Sequence, residues 1–177
     1  MAKTKTKTKA KTKTKARTAR VFVFKVALRG SPGIWRRLAL RGDQTLDDLH
    51  VVIFAAFDRE EEHLYSFYFP TPGSRGRARL RDAKEYTHPF NTEPSPVDDV
   101  CLDNAAEIKL DQLNLRSGQT FEYLFDFGDS WWHEITVEQA DALSDGGRYP
   151  RIVQVRGQSP PQYPDDEGDE GDEDDEV

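Results

Sequence analysis

The segment from Phe121 to Glu138 constrains this chain most, because two alternating runs meet there and each places large rings on one side. In the first run Phe121, Tyr123, Phe125 and Phe127 share a parity; in the second, Trp131, His133, Ile135 and Val137 do. Successive side chains of a strand point to opposite faces, so each run has one apolar face that must be buried. Gly128-Asp129 lies between them and is expected to form a tight hairpin turn, since Gly accepts positive φ and Asp tolerates it. The ribbon predicts an α+β fold, mainly antiparallel sheet, with one or two helices covering the ringed face.

The candidate cover is a helix over residues 46–58. Thr45 is its expected N-cap, and Asp47 and Asp48 stand where carboxylates complement the helix dipole. Leu46, Leu49, Ile53, Ala56 and Phe57 recur at helical spacing, with His50 beside the stripe. Val21–Leu28 reads as a strand with Phe22, Phe24, Val26 and Leu28 inward. Ile34–Leu40 reads as a second, with Ile34, Leu38 and Leu40 on one face and Trp35 and Arg37 on the other. His63–Phe69 alternates as a third. Residues 70–99, with five prolines and a cluster of arginines, read as a long loop that could hold a short hairpin. Ile108–Leu110 and Ile152–Val155 are the remaining strand candidates.

Charge divides the chain in a way the net value of -7 conceals. Residues 1–20 carry seven Lys and two Arg with no acid, and residues 165–176 carry ten acids with no base, which leaves -6 for the body between them. Like charges repel and nothing apolar can nucleate packing, so 1–20 is expected as a disordered basic arm and 165–177 as a disordered acidic tail around one domain over 21–164. Lys3, Lys5, Lys7, Lys9, Lys11, Lys13 and Lys15 suit nonspecific contact with the phosphates of DNA or RNA. Arg36 and Arg37 are further candidate anion ligands. The lone Cys101 fits a reducing compartment, and no apolar run approaches membrane-spanning length. The expected location is the cytoplasm.

Titratable residues gather near the hairpin. Asp126, Asp129 and His133, joined by His50 and His63 if the fold brings them near, have the donor types that hold Zn²⁺ or another divalent ion and activate a bound water. Against this, Asp126 and Asp129 suit the backbone donors of a tight turn, with His133 donating to one of them. No phosphate-cradling glycine loop, Cys-x-x-Cys pair or Gly-x-Ser-x-Gly motif occurs.

Ile34-Trp35-Arg36-Arg37, Leu49-His50, His63-Leu64, Asp126-Phe127-Gly128-Asp129-Ser130-Trp131 with His133, and Tyr149-Pro150 together resemble the plasmid Orf-three-like family, first named from a root-inducing agrobacterial plasmid. Its members occur on plasmids and as passenger proteins of insertion elements, some labelled resolvases. The resemblance spans about residues 21–164, with Trp35, Gly128 and Trp131 among the motif positions. It implies an α+β domain and no established activity. Relatives tend to continue past the Tyr-Pro pair with a Cys-containing segment and a helical region, of which Gly157, Pro160, Pro161 and Tyr163 keep an echo. The residues a serine or tyrosine recombinase needs do not assemble here, Ser31 near Arg36 and Arg37 being the nearest approach. The reading that follows is a non-catalytic binding or accessory protein of mobile-element type, without a cofactor, that meets nucleic acid through its arm. The alternatives are a metal-assisted hydrolase using Asp126, Asp129 and His133, and a pure protein-interaction domain with a protein partner.

Overall fold

The computed structural model describes residues 20–76, 78–92 and 102–163; the expected basic arm up to residue 19, the acidic tail, Cys101 and part of the 70–99 loop lie outside them. The elements are β1 (Arg20–Leu28), β2 (Trp35–Arg41), α1 (Leu46–Ala56), β3 (Tyr65–Phe69), α2 (Ala78–Arg81), β4 (Lys84–Thr87), β5 (Asp103–Asn104), β6 (Thr120–Phe125), β7 (Trp131–Leu143) and β8 (Arg151–Arg156). Eight strands form one sheet in the order β5-β4-β3-β6-β7-β1-β2-β8. The described pairings are antiparallel except β4 with β5. This is the expected α+β fold.

β7 is the spine, pairing along its first half with β6 and along nearly its whole length with β1. Its 13 residues run past Glu138, where the sequence pattern fades. Register shifts opposite Val21–Phe24 bend it, so that the long strand follows the twist of the sheet around the core. Alternation places Phe121, Tyr123 and Phe125 of β6 and His133, Ile135 and Val137 of β7 on one buried face. Phe22, Phe24, Val26 and Leu28 of β1 and Leu38 and Leu40 of β2 continue that face, as their parity requires.

Helix α1 lies across it. Thr45 and Asp48 form a reciprocal capping box: the Asp48 N–H donates to the Thr45 hydroxyl at 3.1 Å and the Thr45 N–H to the Asp48 carboxylate at 2.8 Å. The whole expected stripe of Leu46, Leu49, Ile53, Ala56 and Phe57 is buried. Phe54 meets Phe125 edge-on at 5.6 Å, and Phe57 meets His133 at 4.6 Å. Ring-to-ring contact between helix and ribbon therefore forms the centre of the core.

Four local expectations are corrected. The hairpin reverses around Gly128-Asp129 but not as a tight turn: Phe125 pairs with Trp131, and the five residues between them reverse the chain with positive φ at Asp126 and Ser130. Phe127 consequently leaves the strand and stands exposed in that loop. Within 70–99, α2 and β4 are ordered, because β4 finds an unpaired edge of β3 and closes four register pairs with it. Residues 108–110 are no strand beyond one isolated bridge, Thr45 with Lys109; a 3₁₀ turn over Leu110–Leu113 follows. β8 matches its prediction and forms the sheet edge beside β2. No described helix is long and apolar enough to cross a membrane.

Candidate functional site

The loop after β6 is held by its own first residue. Asp126 Oδ1 accepts from the Gly128 N–H at 2.9 Å and the Asp129 N–H at 3.3 Å, and the Asp126 carbonyl accepts from the Ser130 N–H at 2.7 Å. This is an Asx turn, with Asp126 at φ +57°. A Cβ on Gly128 would stand 3.3 Å from that same carboxylate oxygen, so the glycine keeps the side chain close to the loop backbone. The other oxygen of Asp126 lies 3.5 Å from His63 Nε2, which also shares a 2.7 Å hydrogen bond with the Tyr163 hydroxyl. Asp129 stands exposed at the tip of the loop.

His133 is not part of this group. It is 1% exposed, and its Nδ1 is 3.0 Å from the Trp131 carbonyl. Carbonyl oxygens only accept, so Nδ1 carries the proton and Nε2 is a bare acceptor. Burial, reinforced by the Arg59 charge, pushes the imidazole down to a pKa of about 3, so it is neutral at physiological pH. His50 is likewise buried and pushed down to about 4 by desolvation. It stacks on Tyr65 at 3.9 Å and shares a 2.7 Å hydrogen bond with the Tyr123 hydroxyl, while Tyr65 donates to Asp47. The five sequence candidates thus divide into a pair formed by half-buried His63 and buried Asp126, two separately buried histidines, and an exposed Asp129. Among the described residues no three His, Cys, Asp or Glu side chains gather where one metal ion would sit.

Arg36 and Arg37 point to opposite faces. Arg36 is 1% exposed and donates to four backbone carbonyls, those of Trp35, Ala56, Arg156 and Gly157. It joins the C-terminal end of α1 to the end of β8, while its guanidinium lies 4.6 Å over Phe57. Arg37 is clamped on the other face, with Nε and Nη2 at 2.5 and 2.9 Å from the Glu138 carboxylate. Both donor sets are engaged, and the two do not form one anion site.

Arg59 escaped notice in the sequence because it lies in the acidic run Asp58–Glu62, which reads as solvated turn. It is 7% exposed. Its guanidinium carbon lies 3.8 Å over the Trp131 ring, and Nη1 donates to the Pro160 carbonyl at 3.2 Å. Next along the chain, the Gln162 amide oxygen accepts from the Glu60 and Glu61 N–H groups at 2.9 and 3.1 Å. The stretch from Gly157 to Tyr163 is therefore strapped across the Arg59 turn. The one sequence signal was a lone base directly after the helix stripe, flanked by acids it does not pair with.

Among the described residues no long helix lies on the sheet face turned away from α1; Arg79 of the short α2 reaches onto it at Thr120, and Leu124 and Glu122 there are buried. Trp132 stands 5.5 Å from Tyr68 and under Arg29, while Trp35 lies beneath both Lys25 and Arg37 at 5.3 Å. Glu122 and Glu134 are directly opposed across β6 and β7. Burial raises the Glu122 pKa, an effect that nearby Arg29 and Arg79 oppose, with Arg79 at 3.3 Å.

Comparison with known proteins bears on these features. The family model described as plasmid pRiA4b ORF-3-like protein matches residues 20–171. The uncharacterized protein y4hQ of Sinorhizobium fredii is 28% identical over 145 residues, which cover 81% of this chain and 66% of that one, just under two thirds of the relative's length. Among solved structures, the protein of unknown function MM3350 from Methanosarcina mazei superposes with a TM-score of 0.64 at 23% identity, over 82% of this chain and 74% of its own. The last likeness speaks to the fold alone.

Proposed function

The chain belongs to the plasmid pRiA4b ORF-3-like family, and on that premise we propose that it is a non-catalytic binding protein of plasmid or mobile-element type that contacts nucleic acid. The observation that carries this reading is the sheet face turned away from α1, where Trp132 and Tyr68, both partly exposed, form an aromatic step beside Arg29. Bases stack on such platforms at about 1–3 kcal/mol each without sequence preference, and a nearby cation adds to it. The lysines of residues 3–15 precede β1, whose Lys25 lies on the same face. In this reading the arm supplies counterion release and the aromatic face supplies single-strand stacking.

Titration of a single-stranded oligonucleotide over a range of salt tests both parts. If about half of the nine arm charges reach phosphate, log affinity falls against log salt with a slope of roughly -3 to -4, and removal of residues 2–17 abolishes most of it. Trp132→Ala should weaken binding while leaving that slope unchanged. An unaltered slope in the truncated chain refutes the arm, and unaltered affinity in Trp132→Ala refutes the platform. A partner that is only protein is the reading left standing if neither the full chain nor the truncation binds at moderate salt.

A further inference from the structure

Arg59, His133 and Trp131 have in common polar atoms sealed from solvent without a hydrogen-bond partner: Arg59 Nε and Nη2, His133 Nε2 and Trp131 Nε1. Buried donors and acceptors are almost always paired, and one left alone costs as much as a lost hydrogen bond or more. Four around one residue is a concentration that calls for an occupant. All belong to a single neighbourhood. The guanidinium lies flat on the Trp131 ring, and the imidazole is pinned through Nδ1 to the Trp131 carbonyl. The His133 ring is also 5.5 Å from that of Tyr123.

The atoms prescribe the chemistry of what would pair with them. Arg59 and Trp131 offer N–H donors, and the guanidinium brings a positive charge that no described carboxylate bonds. Arg36, the other buried guanidinium, adds a like charge nearby, and Asp58, the nearest acting carboxylate, offsets the Arg59 charge without bonding it. His133 is the exception in the set: its Nε2 needs a hydrogen atom. A fitting ligand is therefore anionic, accepts from a guanidinium and an indole, and also carries an O–H to give away. An open groove whose lining includes Arg29, Ser31, Trp132, Trp131 and Pro160, with the one carboxylate of Asp129, adjoins the site. Trp131 and Pro160 also contact Arg59, so the groove and the buried group share a wall, although Arg59 and His133 do not themselves line the groove.

We propose that Arg59, His133 and Trp131 form a buried receptor for a small hydroxyl-bearing oxyanion, of which inorganic phosphate is the simplest. Neither the family match nor the nucleic-acid reading assigns this site, and it does not depend on them.

The test uses the full chain at pH 7, with sodium phosphate and sodium sulfate titrated at matched ionic strength. Sulfate has the size and charge of phosphate but no proton at this pH, so it controls for the lysine arm and leaves His133 Nε2 unpaired. The expected result is a saturating shift of the Trp131 indole N–H resonance and a saturating rise in melting temperature with phosphate. Sulfate should bind roughly tenfold more weakly, the cost of one unmet buried acceptor. In Arg59→Gln the phosphate response should be lost. Equal responses to the two anions, a response that never saturates, or one retained by Arg59→Gln overturns the proposal, and so does a high-resolution structure from phosphate solution with only water between Arg59 and His133. If Arg59→Gln fails to fold, the phosphate and sulfate titrations of the native chain decide alone.

Discussion

The two faces of the central sheet are made from the same strands yet obey different electrostatics. On β7, His133, Ile135 and Val137 face α1 and are buried; Trp132, Glu134, Thr136 and Glu138 alternate with them and reach solvent to varying degrees. Where the helix excludes water, ionisable groups are neutral histidines or guanidiniums surrounded by carbonyls. On the face away from α1, ionisable groups meet in ion pairs such as Arg37 with Glu138 or stack on rings such as Trp35, and even the buried Glu122 has Arg79 at hand. Arg36 and Arg37 show the contrast within one dipeptide. The lesson is that coverage, rather than residue type, determines which charges here are structural and which are available to a ligand.

The largest effect that would break this comparison is acid sensitivity of the covered face. His50 and His133 titrate at about 4 and 3 when folded, against 6.5 for a free imidazole. Because the folded state binds protons less readily, stability is fully present above pH 6.5 and lost as pH falls toward 4 and 3. From pH 7 to pH 4 the two together should cost about 6 kcal/mol at most, measured by urea unfolding at each pH. His133→Leu should remove about half of that dependence. If stability is flat over that range, the histidines are not buried neutral.

Next in size is the ringed core. Phe121 is fully buried, 4.4 Å from Phe69 in a stacked pair and edge-on to Phe24 at 6.1 Å. Phe121→Ala should destabilise by about 3–5 kcal/mol in denaturant titration, since the sheet and α1 cannot both collapse into the void. The arginine pair sharpens the contrast. Arg36→Leu leaves a helix-end carbonyl and three others without their donor and should cost about 2–4 kcal/mol. Arg37→Leu removes a partly exposed ion pair and should cost about 1 kcal/mol or less. Equal costs would mean the two faces are not distinguished as argued. Smallest is Trp132→Ala, which should change stability by under about 1 kcal/mol, its ring being half-buried on the open face.

Much of this architecture was legible in the residues. Parity named the inward rings of β1 and β6 and the inward side chains of β7 from His133 to Val137, and the α1 stripe with its Thr45 cap followed from helical spacing, because burial on one face imposes a period of 2 on strands and 3.6 on helices. The turn was found in place but taken as too short, because Gly128-Asp129 is a good local signal for a tight turn. The fold instead uses Asp126, whose side chain can bond two backbone N–H groups only when it starts the loop. The ordering of β4 was hidden for a similar reason: its pairing depends on the exposed edge of β3, a long-range partner that no local pattern announces.

The candidate site was legible only in its residue types. Asp126, His133 and His63 are near one another in the chain or the fold, yet the pleat turns His133 toward Phe57 and leaves His63 with Asp126 at the loop. Arg59 could not be read as buried from an acidic turn, since its burial depends on Trp131 below it and Pro160 above. What the sequence by itself determined was the α+β class, the inward faces and the separation of charge into arm, body and tail, all set by composition and short-range periodicity. What only the tertiary structure decided was which polar groups lost their water, because desolvation depends on elements more than 70 residues apart closing over the same few atoms.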